Sequence, residues 1–213
     1  MRVPVMPYTK LLLLSLGIAL FNLVGCSSKS VAPDDISPGV VTETDKSKPT
    51  VKKLDSKAST AFQRALTTLQ QGNTEEALVL FQEMASNYPA LSGSHTNIGL
   101  IHFKASDLDL AEASFQQALK IKADNAVAYN HIGIIYRKKG RFTDAEKQYL
   151  KAIEINPDYA NAHLNLGILY DLYLRKLNVA KQHYEKFQSL QAEEDKTVKK
   201  WILTLKRRLK VSK

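Results

Sequence analysis

The sequence has almost no cysteine: Cys26 is the only one among 213 residues. A single thiol excludes an internal disulfide, so the chain is not a small secreted protein held together by a disulfide framework. Catalytic motifs are missing as well. The sequence contains no phosphate-binding loop, no HExxH, no GxSxG and no clustered pair of carboxylates. We therefore predict that the protein is not an enzyme and needs no cofactor.

The five histidines lack the spacing of a metal site. His95 and His102 are seven residues apart, which in a helix separates them by about 10 Å and prevents them from sharing a metal ion. We predict that these histidines pack within the fold and that no metal is bound.

Acidic residues are absent from the N-terminus until Asp34, whereas Arg2 and Lys10 precede an apolar run from Leu11 to Val24. That run has 14 residues, too few to span a membrane, which takes about 20. A basic start, a short apolar run and a small-residue exit predict a secretory signal peptide over residues 1–25. The alternatives are a buried N-terminal helix or a short membrane anchor, but the run has no amphipathic stripe.

The apolar run ends in Leu23-Val24-Gly25-Cys26, which resembles the lipobox of bacterial lipoproteins. The resemblance implies cleavage before Cys26 and covalent lipid on its thiol. Because one acyl chain binds a bilayer only marginally, the two or three chains of a lipoprotein would hold the protein permanently. Lipoproteins that stay in the inner membrane of many Gram-negative bacteria tend to carry aspartate after the lipidated cysteine. By this resemblance Ser27 favours the outer membrane, with the protein facing the periplasm. A structural or redox cysteine is the alternative.

Residues 26–57 contain three prolines and no aromatic residue. Such a composition cannot bury enough apolar surface to fold by itself. We expect a flexible linker with a mean reach of roughly 30 Å.

The remainder of the chain repeats with a period of 34 residues. Three sets of similar residues recur at this spacing, and we call each set a column of the repeat. They are Gly99, Gly133 and Gly167; Ala77, Ala111 and Ala145; and Phe81, Phe115 and Tyr149. Within one unit, apolar residues recur at three- and four-residue steps on both sides of a turn at Gly140. This spacing predicts two amphipathic helices per unit.

A 34-residue helix–turn–helix unit with these columns resembles the tetratricopeptide repeat (TPR). The resemblance implies an all-α fold, a right-handed α-solenoid of about four repeats over residues 58–194. We place the repeats at 58–91, 92–125, 126–159 and 160–194. The last unit lacks the turn glycine and has one additional residue before Ala180. Residues 195–213 are expected to form a basic amphipathic capping helix, with Val198, Trp201, Ile202, Leu205 and Leu209 along one face.

Proteins of this family bind partners through a concave groove lined by the first helix of each repeat. The resemblance places eleven candidate partner-binding residues there. They are Phe62, Leu66, Asn97, Leu100, Phe103, Asn130, His131, Ile134, Arg137, Asn165 and Ile168. Asn97 and Asn165 occupy a column that some members use to hydrogen-bond an extended peptide. Hydrogen bonds within the array are the alternative role for these amides.

Positive charge is concentrated at the C-terminus. The formal charge is +9, and loss of Arg2 and Lys10 with the signal peptide would lower it to +7. Eight cations and no acid lie between Lys196 and Lys213, so the rest of the mature chain is nearly neutral. This basic helix either binds anionic lipid or an acidic surface, or is only the solvated face of a cap. An exported protein is not expected to bind nucleic acid.

These features together predict a periplasmic scaffold, anchored to the membrane by lipid on Cys26, that binds proteins or extended peptides of the cell envelope. In architecture it is similar to the TPR lipoproteins called pilotins, which help to assemble pili and secretins. The alternatives are an adaptor for cell-wall hydrolases or for outer-membrane protein assembly, and a direct binder of peptidoglycan or anionic lipid.

Overall fold

The computed structural model describes residues 56–211. The predicted signal peptide, Cys26 and all of the predicted linker except Ser56 and Lys57 lie outside the described residues. All regular secondary structure of residues 56–211 is helical, which confirms the all-α class. The helices are α1 Ser56–Gln70, α2 Thr74–Asn87, α3 Ser92–Lys104, α4 Leu108–Ile121, α5 Ala126–Lys138, α6 Phe142–Ile155, α7 Ala160–Ile168, α8 Leu177–Ser189 and α9 Lys196–Val211, with a π-helical turn at Leu169–Tyr173 after α7.

The first eight helices form four pairs, α1/α2, α3/α4, α5/α6 and α7/α8, and each pair packs on the next. The result is the expected TPR solenoid. Its core runs between the helices of each pair and ends in a cluster around Tyr149, Tyr184 and Phe187. None of the helices within residues 56–211 is long and apolar enough to cross a membrane.

The glycine column allows the two helices of a pair to approach closely. The ring of Tyr149 lies so near Gly133 that a Cβ atom built there would be 2.6 Å from the ring. Phe115 occupies the corresponding place beside Gly99. Thus the small residue of the first helix and the aromatic residue of the second form one contact, as the columns predict.

The turn between paired helices repeats in backbone geometry although not in sequence. Gly72, Ser106, Gly140 and Arg175 all have positive φ, at 88°, 67°, 73° and 55°. This left-handed conformation ends a helix and is easiest for glycine. Ser106 and Arg175 therefore adopt it at some conformational cost.

The additional residue of the last repeat is absorbed by the π-helical turn. The amide of Leu174 donates to Leu169 O, five residues back. In the first three turns the residue after the positive-φ position donates to a carbonyl five residues back, as in Arg141 to Tyr136 O, whereas Lys176 donates six residues back, to Tyr170 O. The wider turn lets α8 begin in register despite the insertion.

Helix α9 covers the end of the array. Asp195 Oδ1 accepts hydrogen bonds from the amides of Thr197 and Val198, which caps the N-terminus of α9. Val198, Ile202 and Leu205 are buried in the last core cluster, and Trp201 packs on Tyr184 with ring centroids 5.4 Å apart. The predicted apolar face of this helix therefore lies against the array.

Candidate functional site

The first helices of the four pairs, α1, α3, α5 and α7, carry all eleven candidate partner-binding residues. We call the side of the array built by these helices the groove face. Nine of the eleven side chains are buried, and only Phe103 and Ile134 are partly exposed. Most of the predicted contact set therefore packs inside the array, and its role in binding a partner stays a prediction.

The apolar members near the N-terminal end belong to the core. Phe62 makes an edge contact with Phe81 of α2 at a centroid distance of 5.7 Å, and Leu66 joins the same cluster. Leu100 packs with Ile132 and with other core residues of α5. Leu66, Leu100 and Ile168 share one column of the repeat, and all three are buried. Ile134 occupies the same column in the third repeat and is partly exposed, so neighbouring helices cover this predicted ligand-facing column in three of the four repeats.

The asparagines form hydrogen bonds within the array. Asn97 Nδ2 donates to Gly93 O of its own helix at 2.9 Å. Asn165 Nδ2 donates to Asn130 Oδ1 at 3.0 Å, which joins α7 to α5. These are the internal hydrogen bonds of the alternative role, and binding of an extended peptide by Asn97 and Asn165 stays a prediction.

His131 lies among aromatic rings. It stacks on Phe115 at a centroid distance of 5.2 Å and meets the edge of Phe103 at 5.5 Å. Its Nδ1 donates to Val127 O at 2.8 Å. Burial lowers the pKa of His131 to about 4, so the ring is neutral at pH 7. The buried ring of His131 therefore packs against Phe103, one of the two partly exposed candidates.

Arg137 lies at the C-terminal end of α5 on the groove face. The side chain is buried, and its guanidinium carbon lies 6.0 Å from the centre of the Tyr173 ring. Tyr173 belongs to the π-helical turn, is 40% exposed and also packs on Phe142. Arg137 and Tyr173 thus bring together a positive charge and an accessible aromatic ring. Tyr173 was not among the predicted residues, because the one-residue insertion hides its place in the repeat.

A contact between two histidines, His163 and His183, was not predicted from the sequence either. His163 Nδ1 lies 3.0 Å from His183 Nδ1, and His163 Nε2 lies 2.9 Å from Pro157 O. Because a carbonyl only accepts, His163 carries its proton on Nε2 and His183 donates from Nδ1. Burial and the neighbouring His163 lower the pKa of His183 to about 4. The two residues are 20 positions apart on different helices, so spacing alone does not pair them.

No group of three or more His, Cys, Asp or Glu side chains within residues 56–211 is arranged to hold a metal ion. The chemistry that these residues offer is that of a recognition surface, made of apolar rings, amides and one buried guanidinium.

Two family profiles match the sequence. The profile described as a tetratricopeptide repeat matches residues 62–128, and the one described as a TPR repeat matches residues 133–171. No curated protein is similar enough in sequence to count as a match.

Several solved structures share the fold. A structure of PilF from Pseudomonas aeruginosa is 24% identical in sequence and superposes with a TM-score of 0.63. The match covers 72% of this chain and 69% of PilF. MamA residues 41–end from Desulfovibrio magneticus RS-1 is 20% identical with a TM-score of 0.61, covering 73% and 87%. Another structure of MamA is 20% identical with a TM-score of 0.54, covering 62% and 77%. At these identities the likeness establishes the fold.

Proposed function

The chain carries tetratricopeptide repeats in residues 62–128 and 133–171 and folds as a solenoid of them, and from this premise we propose that it is a scaffold that binds protein partners through its groove face. The observation that supports this most directly is the groove face itself. Each helix pair packs on the next, so α1, α3, α5 and α7 follow one another along the array. Solenoids use such extended surfaces to bind peptides and proteins.

Partly exposed apolar side chains mark where a partner would make contact. Phe103 and Ile134 are the two candidates whose side chains reach solvent, and Phe103 rests on the buried ring of His131. Tyr173 adds an exposed ring beside Arg137. An aromatic residue supported by a packed neighbour is a typical interface anchor, because little side-chain entropy is lost when it binds.

Site-specific photocross-linking in intact bacteria tests this proposal. A cross-linkable amino acid at Phe103 or Ile134 should capture a discrete protein partner. The matched controls are Leu110 and Leu150, which are also exposed but lie on the second helices α4 and α6. Equal capture from all four positions, or capture from Leu110 and Leu150 alone, would contradict binding at the groove face.

We also propose that the protein is anchored to the membrane through lipid on Cys26 and faces the periplasm, with the outer membrane favoured. Support comes from the apolar run and from the LVGC sequence, which resembles a lipobox. Metabolic labelling with an alkyne-tagged fatty acid should label the wild-type chain and not Cys26→Ser. The proposal of a lipid anchor on Cys26 would be contradicted if the wild type stays unlabelled, or if Cys26→Ser keeps its label and stays in the membrane fraction.

The partner class that we place first is a component of an envelope machine such as a pilus or a secretin. The support is the combination of a predicted lipid anchor with a TPR array, which resembles the assembly lipoproteins called pilotins. The identity of the protein captured at Phe103 tests this choice. A cell-wall hydrolase or an outer-membrane insertion factor in its place would favour the alternative adaptor roles.

A further inference from the structure

The cations of α9 fall into two groups that the sequence does not distinguish. Three of them have carboxylate partners, and these pairs join α9 to its surroundings. Lys206 Nζ lies 3.3 Å from Glu185 of α8, Arg208 reaches Asp171 of the π-helical turn at 2.6 Å, and Lys199 pairs with Glu194 at 2.8 Å. The other four have no ion pair among residues 56–211. They are Lys196, Lys200, Arg207 and Lys210.

The four cations without partners lie on one side of the helix. At 100° per residue they occupy an arc of about 80°, opposite the buried Val198, Ile202 and Leu205. Two apolar residues lie on the same side: Leu203 is 45% exposed and Val211 is 89% exposed. We call this surface the α9 solvent face. It consists of Lys196, Lys200, Leu203, Arg207, Lys210 and Val211, and it is about 22 Å long.

Packing of α9 does not require the solvent face. The buried side is held by its apolar residues, and the flanks are held by the three ion pairs. No acid occurs from Lys196 to the end of the chain, and of the three acids that precede it Glu194 pairs with Lys199 and Asp195 caps the helix. Four positive charges on one side of α9 therefore face solvent without an ion pair among residues 56–211.

We propose that the α9 solvent face binds the surface of an anionic phospholipid membrane. Charge complementarity is the main argument, because lysine and arginine near such a surface are attracted to its headgroups. The pattern also fits a lipid surface better than a folded acidic protein. Three of the four cations are lysines, flexible point charges that adapt to mobile headgroups.

The exposed apolar residues agree with this assignment. Leu203 lies between Lys200 and Arg207, where it reaches the boundary between headgroups and acyl chains once the cations are in contact. The proposal uses the proposed membrane anchor in one respect only, since lipid on Cys26 would keep α9 near a bilayer. Binding by the α9 solvent face is measurable without the anchor, so the two can fail separately.

Vesicle binding by the mature chain, residues 26–213 with Cys26→Ser, provides the test. The probe is a phosphatidylcholine vesicle containing 30% phosphatidylglycerol, compared with phosphatidylcholine alone. Trp201 is the only tryptophan of the chain and lies on α9, so energy transfer from it to a dansyl-labelled headgroup reports the approach of this helix. We expect transfer and cosedimentation with anionic vesicles only, and a strong decrease as salt is raised.

Two matched variants locate the surface. Lys200→Gln/Arg207→Gln removes two charges from the α9 solvent face, and Lys199→Gln/Lys206→Gln removes two from the paired flank. We expect the first variant to lose about 25-fold in partitioning, near fivefold for each cation, and the second to lose about threefold or less. Thermal melting of both variants is measured, and vesicle binding is compared at a temperature at which both are folded.

Three results would overturn the proposal. The first is equal loss in the two variants, which would show a diffuse effect of net charge. The second is no binding of wild type to anionic vesicles at 50 mM salt, which would leave the face solvated or open to an acidic protein. The third is cosedimentation with purified peptidoglycan sacculi but not with vesicles, which would assign the cations to the cell wall.

Discussion

The side-chain amide of Asn165 donates a hydrogen bond of 3.0 Å to the side-chain oxygen of Asn130 in the preceding repeat. Both side chains are buried. The bond ties α7 to α5 across the groove face, and each amide satisfies part of the other's hydrogen-bonding capacity away from water. These two asparagines therefore stabilise the stacking of repeats.

Replacing Asn165 with alanine should destabilise the fold. The change leaves Asn130 Oδ1 buried without this donor, which costs about 1–3 kcal/mol. Urea denaturation of the purified chain measures it. The double variant Asn130→Ala/Asn165→Ala should cost less than the sum of the two single changes, because it removes both members of the bond. Unchanged stability together with lost partner capture would instead assign Asn165 to ligand binding.

The contact of Gly133 with Tyr149 predicts a second effect. Gly133→Ala places a methyl group 2.6 Å from the ring of Tyr149, and since that ring is fully buried, we expect the free energy of unfolding to fall by about 1–3 kcal/mol. Thermal and urea unfolding measure the change. Gly133→Ala combined with Tyr149→Leu should be less destabilised than the two changes added together. Simple additivity would show that the ring and the new methyl group do not collide.

The backbone of the turns predicts opposite effects at two equivalent positions. Gly140 has a φ of 73° and Ser106 a φ of 67°, and nothing lies within 4 Å of a Cβ built at Gly140. Gly140→Ala should therefore destabilise by about 1 kcal/mol through backbone strain alone. Ser106→Gly should stabilise by a few tenths of a kcal/mol, because relief of strain exceeds the entropy that glycine adds to the unfolded chain. Changes of the same sign in both variants would contradict this account.

The helix pairs could be predicted from the sequence because their signal is local and repeated. The spacing of Gly133, Ala145 and Tyr149 recurs every 34 residues, and each column has one physical role in the contact between paired helices. The same reasoning placed Val198, Ile202 and Leu205 on the buried face of α9. Patterns of this kind depend on helix periodicity and need no knowledge of the neighbouring repeats.

The groove face was harder to predict because its exposure depends on how neighbouring repeats pack. Leu66 and Leu100 occupy a column that the family pattern directs toward a ligand, yet both join the core. The amide pair of Asn130 and Asn165, the Arg208–Asp171 ion pair and the histidine contact of α7 with α8 are likewise relations between helices. A single sequence shows which residue types are present and not which pairs meet.

Arg208 and Arg207 are adjacent, and the structure predicts that they behave differently. Arg208 is hydrogen-bonded to Asp171 at 2.6 Å, and the side chain of Asp171 is only 11% exposed. Arg208→Gln should therefore lower stability by about 1 kcal/mol and detach the C-terminal part of α9, which amide hydrogen exchange would show as faster exchange there. Arg207→Gln is the matched control and should leave exchange unchanged. Equal effects of the two variants would mean that the ion pair does not hold the helix.

The lowered pKa values of two histidines, the buried His131 and the half-buried His183, predict that stability falls with acid. Burial lowers the pKa of both His131 and His183 to about 4, below the value of about 6.5 of an unfolded chain. Between these values the unfolded state binds more protons than the folded state, so stability is greatest above pH 6.5 and is lost as the pH falls toward 4. For His131, which is fully packed between Phe103 and Phe115, the loss amounts to about 3 kcal/mol.

Urea midpoints measured from pH 7.5 to 4.5 should show this decline. His131→Phe keeps an aromatic ring against the same neighbours and removes the titrating group, so its decline should be shallower by that amount. If wild type and His131→Phe lose stability in parallel, protonation of His131 does not cause the acid sensitivity.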